Sequence, residues 1–506
     1  MEKKSRIKKV LYIVPHMDDE LLVGGSTICE FVNSDKWDVY IAFLTNGDYF
    51  PHESETRQIE ALAANKTLGV DASHIFFLGY GDQWKSPRHI YNSEPEQICI
   101  SHAGRDRTFA IESHPEYSYL TQKKHNYYNR RSIVGDIKKL IVDLMPEVIF
   151  TTDFDAHPDH RALLLFLEES LREILIMYRA YAPLVLTKLA YEGIYTGKND
   201  FFDSPLAPTK LYGSRIKSNP FLEWDNRIAF KTYSKCTTSN LNSNILYSAA
   251  KCYKTQEIQY IMPRTINSDI VYWRIETENI AIFARASASS GIAMYVNDFK
   301  SIDSDDINIR ECSLSSSTWI PDNSDNQKEI KLTWDGPQNI NKIVIYESPD
   351  MRSHLDEIMV AAENFSITMR LDNRNTKKHV VLIGKKSKYI SVRILEGRNL
   401  PGISEIEVFD KRREIEAFGL PLTHIDTSEG TCTSTYDRDC GFLLMKFRKA
   451  KFALTEILCN KMFPNEFELR KKFGDFNRKL IIIYKIRYCV RRIYKKAYRQ
   501  FVEKRN

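Results

Sequence analysis

Along the first half of the chain, short apolar runs alternate with stretches whose apolar residues recur at helical spacing. Val10-Leu-Tyr-Ile-Val14 reads as a strand, and the stretch from about Glu20 to Phe31 as a helix. Asp38 to Leu44 reads as the next strand, followed by a helix from Glu53 to Leu68 that Gly69 stops. His74 to Leu78 is a third strand. After a long polar, aromatic segment come a helix over Ser132 to Leu144 with Pro146 beyond its end, a strand over Glu147 to Thr152, and a helix over Ala162 to Met177. Strands alternating with helices argue for βαβ units. They predict an α/β fold with a doubly wound, Rossmann-like, mostly parallel sheet. From about Glu278 the period changes to two. Ile330 to Trp334, Lys342 to Tyr346, Phe365 to Met369 and Tyr389 to Arg393 are short alternating segments separated by Asn, Asp, Ser and Gly. That rhythm predicts an antiparallel β-sandwich ending near Asp410, with Trp319 and Trp334 in its core. Three parts follow: 1–275, 276–412, and a basic, mostly helical region over 413–506. No internal repeat suggests a solenoid.

Composition narrows the class. With 506 residues, the prior is about three domains. The 43% hydrophobic and 27% charged content is that of globular proteins rather than disordered or fibrous ones. The longest strongly apolar stretches fall far short of the ~20 residues that span a bilayer. The charged start, Met1-Glu-Lys-Lys-Ser-Arg6, has no apolar signal region or cleavage site. Nine cysteines form no CxxC pair, so reduced, mostly buried thiols in the cytoplasm are expected.

Charge is unevenly placed. From Lys446 to Asn506 there are 19 Lys and Arg against 5 Asp and Glu, a local balance of +14 in a chain of net +6. Within this tail Ile482, Ile486, Cys489, Val490, Ile493, Ala497 and Phe501 recur at helical spacing among basic residues and tyrosines. Such a helix suits an anionic membrane surface, which would make the protein peripheral at the inner face of the membrane. A helix packed on the acidic body is the rival. Nucleic acid is the weaker partner, because no nucleic-acid motif accompanies the charge.

Two clusters carry chemistry. Pro15-His16-Met17-Asp18-Asp19-Glu20 stands where the first strand ends, and Asp153-Phe-Asp155-Ala-His157-Pro-Asp159-His160-Arg161 where a later strand ends. In open α/β sheets the ligand crevice lies outside the carboxyl ends of the strands, so both clusters can face one crevice. Taken singly, each would be an acidic helix start or a polar turn. Together they supply three His and several Asp. Catalytic zinc takes such ligands and leaves one position for water. A nearby carboxylate can take the proton of that water, and a free His can steady the oxyanion or protonate a leaving amine. The combination is that of metal-assisted amide hydrolysis.

These residues resemble the PIG-L/LmbE family of zinc-dependent sugar N-deacetylases, whose motifs are usually Pro-His-Pro-Asp-Asp-Glu and His-Pro-Asp-His. Thr45-Asn-Gly-Asp48, Arg57 with Glu60, Leu68-Gly-Val70, Leu78-Gly-Tyr-Gly-Asp82 and Tyr128-Asn-Arg130 match as well. The resemblance spans about residues 8–180. It implies His16, Asp19 and His160 as ligands of Zn2+ or another divalent metal. Asp18 would be the general base, and His157 the oxyanion stabiliser or acid, oriented by Asp159. Arg57 and Asp82 match positions that in relatives contact sugar hydroxyls or phosphate-like groups. Met17 departs from the usual proline, which stiffens the turn without being a ligand. The implied reaction removes the N-acetyl group from an N-acetylglucosamine-type sugar or glycoconjugate and releases acetate. Another small amide or an ester is the alternative bond. The segment from about Gly81 to His125 is long, and its His89, His102, His114 and His125 make it either a lid or a surface excursion.

The later part also carries a resemblance. Asn279-Ile-Ala281, Ala286-Ser-Ala-Ser-Ser290, Asn297-Asp298, Leu332-Thr-Trp334 and Gly402 to Asp410 resemble a discoidin, or coagulation-factor C-type, domain of the galactose-binding-like class. This implies loops that bind a ligand, and a structural Ca2+ whose ligands the sequence does not map. A non-catalytic glycan-binding protein is therefore the rival from another functional class.

Overall fold

In the computed structural model, the described residues are 6–426 apart from 51–52, 86–87, 192–205, 207, 210, 212–215, 217, 239–242, 261, 310–316 and 372–375. The basic tail expected to be helical lies outside them from residue 427 onward.

The first half runs β1 (Lys8–Val14), α1 (Asp19–Val23), α2 (Gly25–Val32), β2 (Trp37–Thr45), α3 (Ser54–Leu68), β3 (Ile75–Tyr80), α4 (Tyr117–Gln122), α5 (Arg130–Leu144), β4 (Val148–Thr152), α6 (Pro158–Met177) and β5 (Leu184–Lys188). Two antiparallel strands, β6 (Ile228–Lys231) and β7 (Asp269–Ile275), extend the sheet. One expected helix is two. The chain breaks at Gly24, where an added Cβ would meet Tyr12 Cε1 at 2.5 Å, so the backbone packs directly on that ring. Gly69 closes α3 at φ +94°, in the left-handed conformation that glycine adopts without strain.

Strands β3, β2, β1, β4 and β5 are neighbours in that order and parallel, with β7 and β6 beyond β5. Sequence order runs one way from β1 to β3 and the other way from β4 to β5. The reversal between β1 and β4 is the topological switch point. Val10 pairs with Val148 and Tyr12 with Phe150, so both strands end side by side. All five residues of β4 are buried, as expected for a strand covered on both faces.

The second half is antiparallel. It comprises β8 (Arg285–Ala288), β9 (Glu329–Glu347), β10 (His354–Ala362), β11 (Phe365–Arg370), β12 (Lys378–Arg398) and β13 (Ile403–Phe409). They share one hydrogen-bonded sheet in the order β11-β10-β12-β9-β13, with β8 also on β9. Two expected strands, Ile330–Trp334 and Lys342–Tyr346, are the halves of β9. The first half pairs with β8 and the second with β13, and register breaks in the pairing of β9 with β12 let both strands change direction. Trp319, Leu332, Trp334, Ile343, Ile345, Ile358, Ile390, Val392 and Val408 form one core cluster.

Alternate residues of the same strands face elsewhere. Val344, Tyr346 and Phe409, with Ile282, Phe299, Ile302 and Ile307, are buried in the cluster that contains Ile137 and Leu140 of α5 and Leu167 and Leu171 of α6. The α/β part and the antiparallel part thus share a core. A last strand, β14 (His424–Ile425), returns to the first sheet beside β6, so described residues beyond 412 add an edge strand there.

Candidate active site at the switch point

The loop after β1 makes a tight approach to α1. Asp18 occupies φ +118°, a conformation that costs a non-glycine residue energy and that persists where the surroundings enforce it. Its N–H donates to Glu20 Oε2 at 3.0 Å, and the Asp19 N–H to the His16 carbonyl at 3.3 Å. Met17 is fully buried, with its Cε where a Cβ on Gly47 would lie 2.5 Å away. Gly47 has φ +68°, so the position departing from the family proline is filled by a side chain seated against a glycine.

The loop after β4 leads into the start of α6. His157 is the N-cap and its Nδ1 accepts the Asp159 N–H at 3.2 Å, while Pro158 occupies the first turn. Proline there sacrifices no hydrogen bond, and Asp159 suits the positive end of the helix.

The two loops converge. Asp19 Oδ2 lies 3.0 Å from His16 Nδ1 and 3.2 Å from His160 Nε2, and the two imidazole centroids are 5.7 Å apart. His16 Nε2 is 3.1 Å from Asp159 Oδ2 and 3.8 Å from Asp82 Oδ1. Two sets could hold a metal with all ligand atoms within 4.8 Å of one another: His16, His157 and His160, or His16, Asp82 and Asp159. Asp19 Oδ1 and Asp18 Oδ1 are buried without a hydrogen-bond partner, and the buried His160 Nε2 meets Asp19 Oδ2. Buried polar atoms are rarely left unpaired, and such oxygens beside imidazoles from two loops are a donor set that fits a divalent cation.

Arg57 reaches the same crevice from α3, with Nη1 3.4 Å from Asp82 Oδ2 and Nη2 3.4 Å from the Met17 carbonyl. Asp82 is held in turn, its N–H donating to Asp48 Oδ1 at 2.8 Å. All eight residues singled out in the sequence therefore meet in one place. Neither of the two groups within 4.8 Å is the expected set of His16, Asp19 and His160, and a second relation also differs from expectation. Asp159 holds His157 through its backbone N–H, because its carboxylate is 3.9 Å from His157 Nδ1 and bonded elsewhere.

Electrostatics divides the site. Burial, then the neighbouring Asp19 charge, raises the Asp18 carboxyl well above its ordinary range. Burial, then His16, pushes His157 well below the usual imidazole value, so it is neutral. Burial opposes ionisation of Asp19 too, but the His160 and His16 rings overcome it and keep that carboxylate charged. A carboxyl whose pKa is raised beside one held ionised is the pattern of divided acid–base roles.

Two residues with no assigned role belong to the site. Asp155 is fully buried. Its Oδ2 accepts His160 Nδ1 at 2.8 Å and the Tyr191 N–H at 2.9 Å, and its Oδ1 accepts the His157 N–H at 2.9 Å. A carboxylate on the far nitrogen of a ligating His fixes its tautomer and aim. His89, from the long excursion, donates to Asp159 Oδ1 at 2.6 Å. Its neighbours have other partners: His114 bonds the Ile75 carbonyl, His125 pairs with Glu116, and His102 stacks on Tyr49. Asp155 stood inside the second cluster as a signal; nothing in spacing separates His89 from the other histidines.

A second group of orphaned oxygens lies in the accessory half. Both carboxylate oxygens of Glu405 are buried without partners. Burial raises its pKa, followed by the charges of Asp298, Glu407 and Glu168.

Fold and site together define an open α/β protein with a His/Asp centre at its switch point. Residues 11–170 match the PIG-L family, described as GlcNAc-PI de-N-acetylase, and the chain carries a PIG-L family domain there. No curated protein matches the chain. Among solved structures it is similar to the lectin domain of lectinolysin complexed with Lewis B antigen, at 21% identity and TM-score 0.22, covering 27% of this chain and 100% of that one. It is also similar to CpGH89CBM32-5 from Clostridium perfringens in complex with GalNAc-β-1,3-galactose, at 16% identity and TM-score 0.20, covering 26% and 96%. A Streptococcus pneumoniae fucose binding module, SpX-3, stands at 14% identity and TM-score 0.20, covering 26% and 98%.

The four described cysteines, Cys29, Cys99, Cys236 and Cys252, are free thiols, three of them buried. Among the described residues no helix is long and apolar enough to cross a membrane.

Proposed function

We propose that the protein is a zinc-dependent N-deacetylase acting on an N-acetylglucosamine-type sugar or glycoconjugate, with parts at 1–275, 276–412 and 413–506. The observation that carries this is the contact of one Asp19 oxygen with imidazoles from two distant loops, beside a buried carboxyl with an unpartnered oxygen. His16, Asp19 and His160 would hold the metal. When bound, zinc supplies a Lewis acid that makes water a competent nucleophile near neutral pH.

The chain's own residues do the rest. Asp18 takes the proton of the attacking water, and the rise in its pKa makes that carboxylate a stronger base. His157 has its Nδ1 occupied by the Asp159 N–H, so the proton of the neutral ring sits on Nε2, free to donate to the oxyanion or to the departing amine. Arg57 and Asp82, ion-paired at the same crevice, are placed to meet sugar hydroxyls. The accessory half is proposed to hold glycan and a structural calcium whose ligands are unassigned. That role rests on its sequence motifs.

The test is acetate release from N-acetylglucosamine conjugates by protein of known zinc content. Asp18→Ala is expected to lower kcat about 10²–10⁴-fold while zinc stays stoichiometric. Full activity in that variant removes Asp18 from its role, and a zinc-free active parent removes the metal.

A further inference from the structure

We infer that His89 is a positioning residue for the metal centre and that the accessory half holds it in place. His89 is almost fully buried. It caps a single turn at Ile90–Asn92, where its Nδ1 accepts the Tyr91 N–H at 3.1 Å. A ring nitrogen that accepts a backbone N–H carries no proton, so in the neutral ring the proton is on Nε2. That nitrogen is 2.6 Å from Asp159 Oδ1, and Asp159 Oδ2 is 3.1 Å from His16 Nε2. Asp159 is thus gripped between a fixed donor and a ligand-bearing loop. Without His89 its carboxylate could swing out of register with His16, and the start of α6 carries His157 and His160 on the same turn.

The turn that carries His89 is pinned from behind. Tyr91 Oη donates to Asp303 Oδ1 at 2.7 Å and accepts from Lys300 Nζ at 3.2 Å. Asn92 Nδ2 donates to the Ser304 carbonyl at 2.7 Å, and its Oδ1 accepts the Ile307 N–H at 2.8 Å. Ile307 is tied to the catalytic loop as well. Its carbonyl accepts Arg161 Nε at 3.0 Å, and Arg161 Nη1 donates to the Asp155 carbonyl at 2.6 Å. One residue of the accessory half therefore fixes both the turn bearing His89 and the loop bearing Asp155 and His157. In this arrangement the accessory half is a part of the catalytic scaffold, whatever glycan it holds.

The inference rests on the proposed metal centre for its spectral arm and on the deacetylase reading for its kinetic arm, and a parent that binds no cobalt overturns it. The experiment loads the full chain with cobalt in place of zinc and records the visible ligand-field spectrum, a readout of ligand geometry, together with zinc affinity by chelator competition. His89→Ala is expected to change the spectrum and to lower zinc affinity or kcat about 10–100-fold, with KM within about twofold of the parent. His89→Gln, whose amide reaches where Nε2 stood, is expected to restore most of both. Asn92→Ala, remote from the metal, should shift the spectrum in the same direction by less. Should the alanine variant fail to fold, His89→Asn, too short to reach Asp159, reads the same loss. A His89→Ala spectrum superimposable on the parent overturns the inference, as does a glutamine variant no better than alanine. A parent that binds cobalt but releases no acetate refutes the deacetylase reading alone, and the spectra still decide His89.

Discussion

Replacing Asp155 with Asn isolates the contribution of a carboxylate that is no proposed metal ligand itself but is bonded to one. The side chain accepts three hydrogen bonds: two on Oδ2, from His160 Nδ1 and the Tyr191 N–H, and one on Oδ1, from the His157 N–H. Asparagine will turn its oxygen to the side with two donors. Its amide nitrogen then faces the His157 N–H, leaving one buried donor unpaired at a cost of about 1–3 kcal/mol. The bond to His160 also loses its charge assistance, roughly half its strength and about 1 kcal/mol more. The expected destabilisation is about 2–4 kcal/mol, with zinc affinity reduced about 10–100-fold because His160 loses the group that aims it. Thermal melting with and without zinc measures the first, and chelator competition the second. Asp155→Ala, which strands all three donors, should be worse on both counts. Zinc affinity within twofold of the parent, in a variant that melts at the parental temperature, would refute this account of Asp155.

Two further outcomes follow from the same geometry. Gly47→Ala should destabilise by about 1–2 kcal/mol, since a left-handed backbone is costly for a residue with a Cβ and that Cβ would meet Met17 Cε at 2.5 Å; Met17→Ala in the same chain should relieve only the contact, and a double variant as stable as Met17→Ala alone would show that the backbone carries no strain. In metal-free protein, burial lowers the basicity of His160, but Asp155 and then Asp19 more than offset it and hold its pKa at about 9. A folded value above the ordinary 6.5 means stability that is complete below about pH 6.5 and lost as pH rises through about 9, on the order of 3 kcal/mol. Glu20, raised to about 7 chiefly by burial, has the same sign. Chelator-treated protein should therefore melt at a lower temperature at pH 9 than at pH 6; a melting temperature that holds steady or climbs across that range contradicts it.

What could be read from the sequence was what local pattern encodes. Strands β1, β2, β3 and β4 lie within two residues of the apolar runs that announce them, because each is short, buried and followed by a helix or a turn. The site was legible for a related reason: strand ends at a switch point collect their loops in one crevice, so two clusters far apart in sequence had to face each other. Long-range packing was not legible. Nothing local told that Gly24 must yield to the Tyr12 ring, or that Ile330–Trp334 and Lys342–Tyr346 are one bent strand whose halves pair with different partners. His89 was hidden for the same reason, since its role comes from Asp159, 70 residues on, and from a backing segment beyond residue 298. Asp155 was in view, but its function belongs to the imidazole it supports.

The alternation along Lys342-Ile-Val-Ile-Tyr346 has a consequence for dissecting this protein. Ile343 and Ile345 belong to the accessory core, while Val344 and Tyr346 are buried in the cluster that includes residues of α5 and α6. A fragment beginning near residue 276 would carry Val344, Tyr346 and Phe409 as a bare oily stripe, each side chain giving up about 1.5–3 kcal/mol of burial. The catalytic half, cut free, would show the matching wound along α5 and α6. Neither piece is a detachable cassette, and heating the intact protein should melt both halves in one cooperative step.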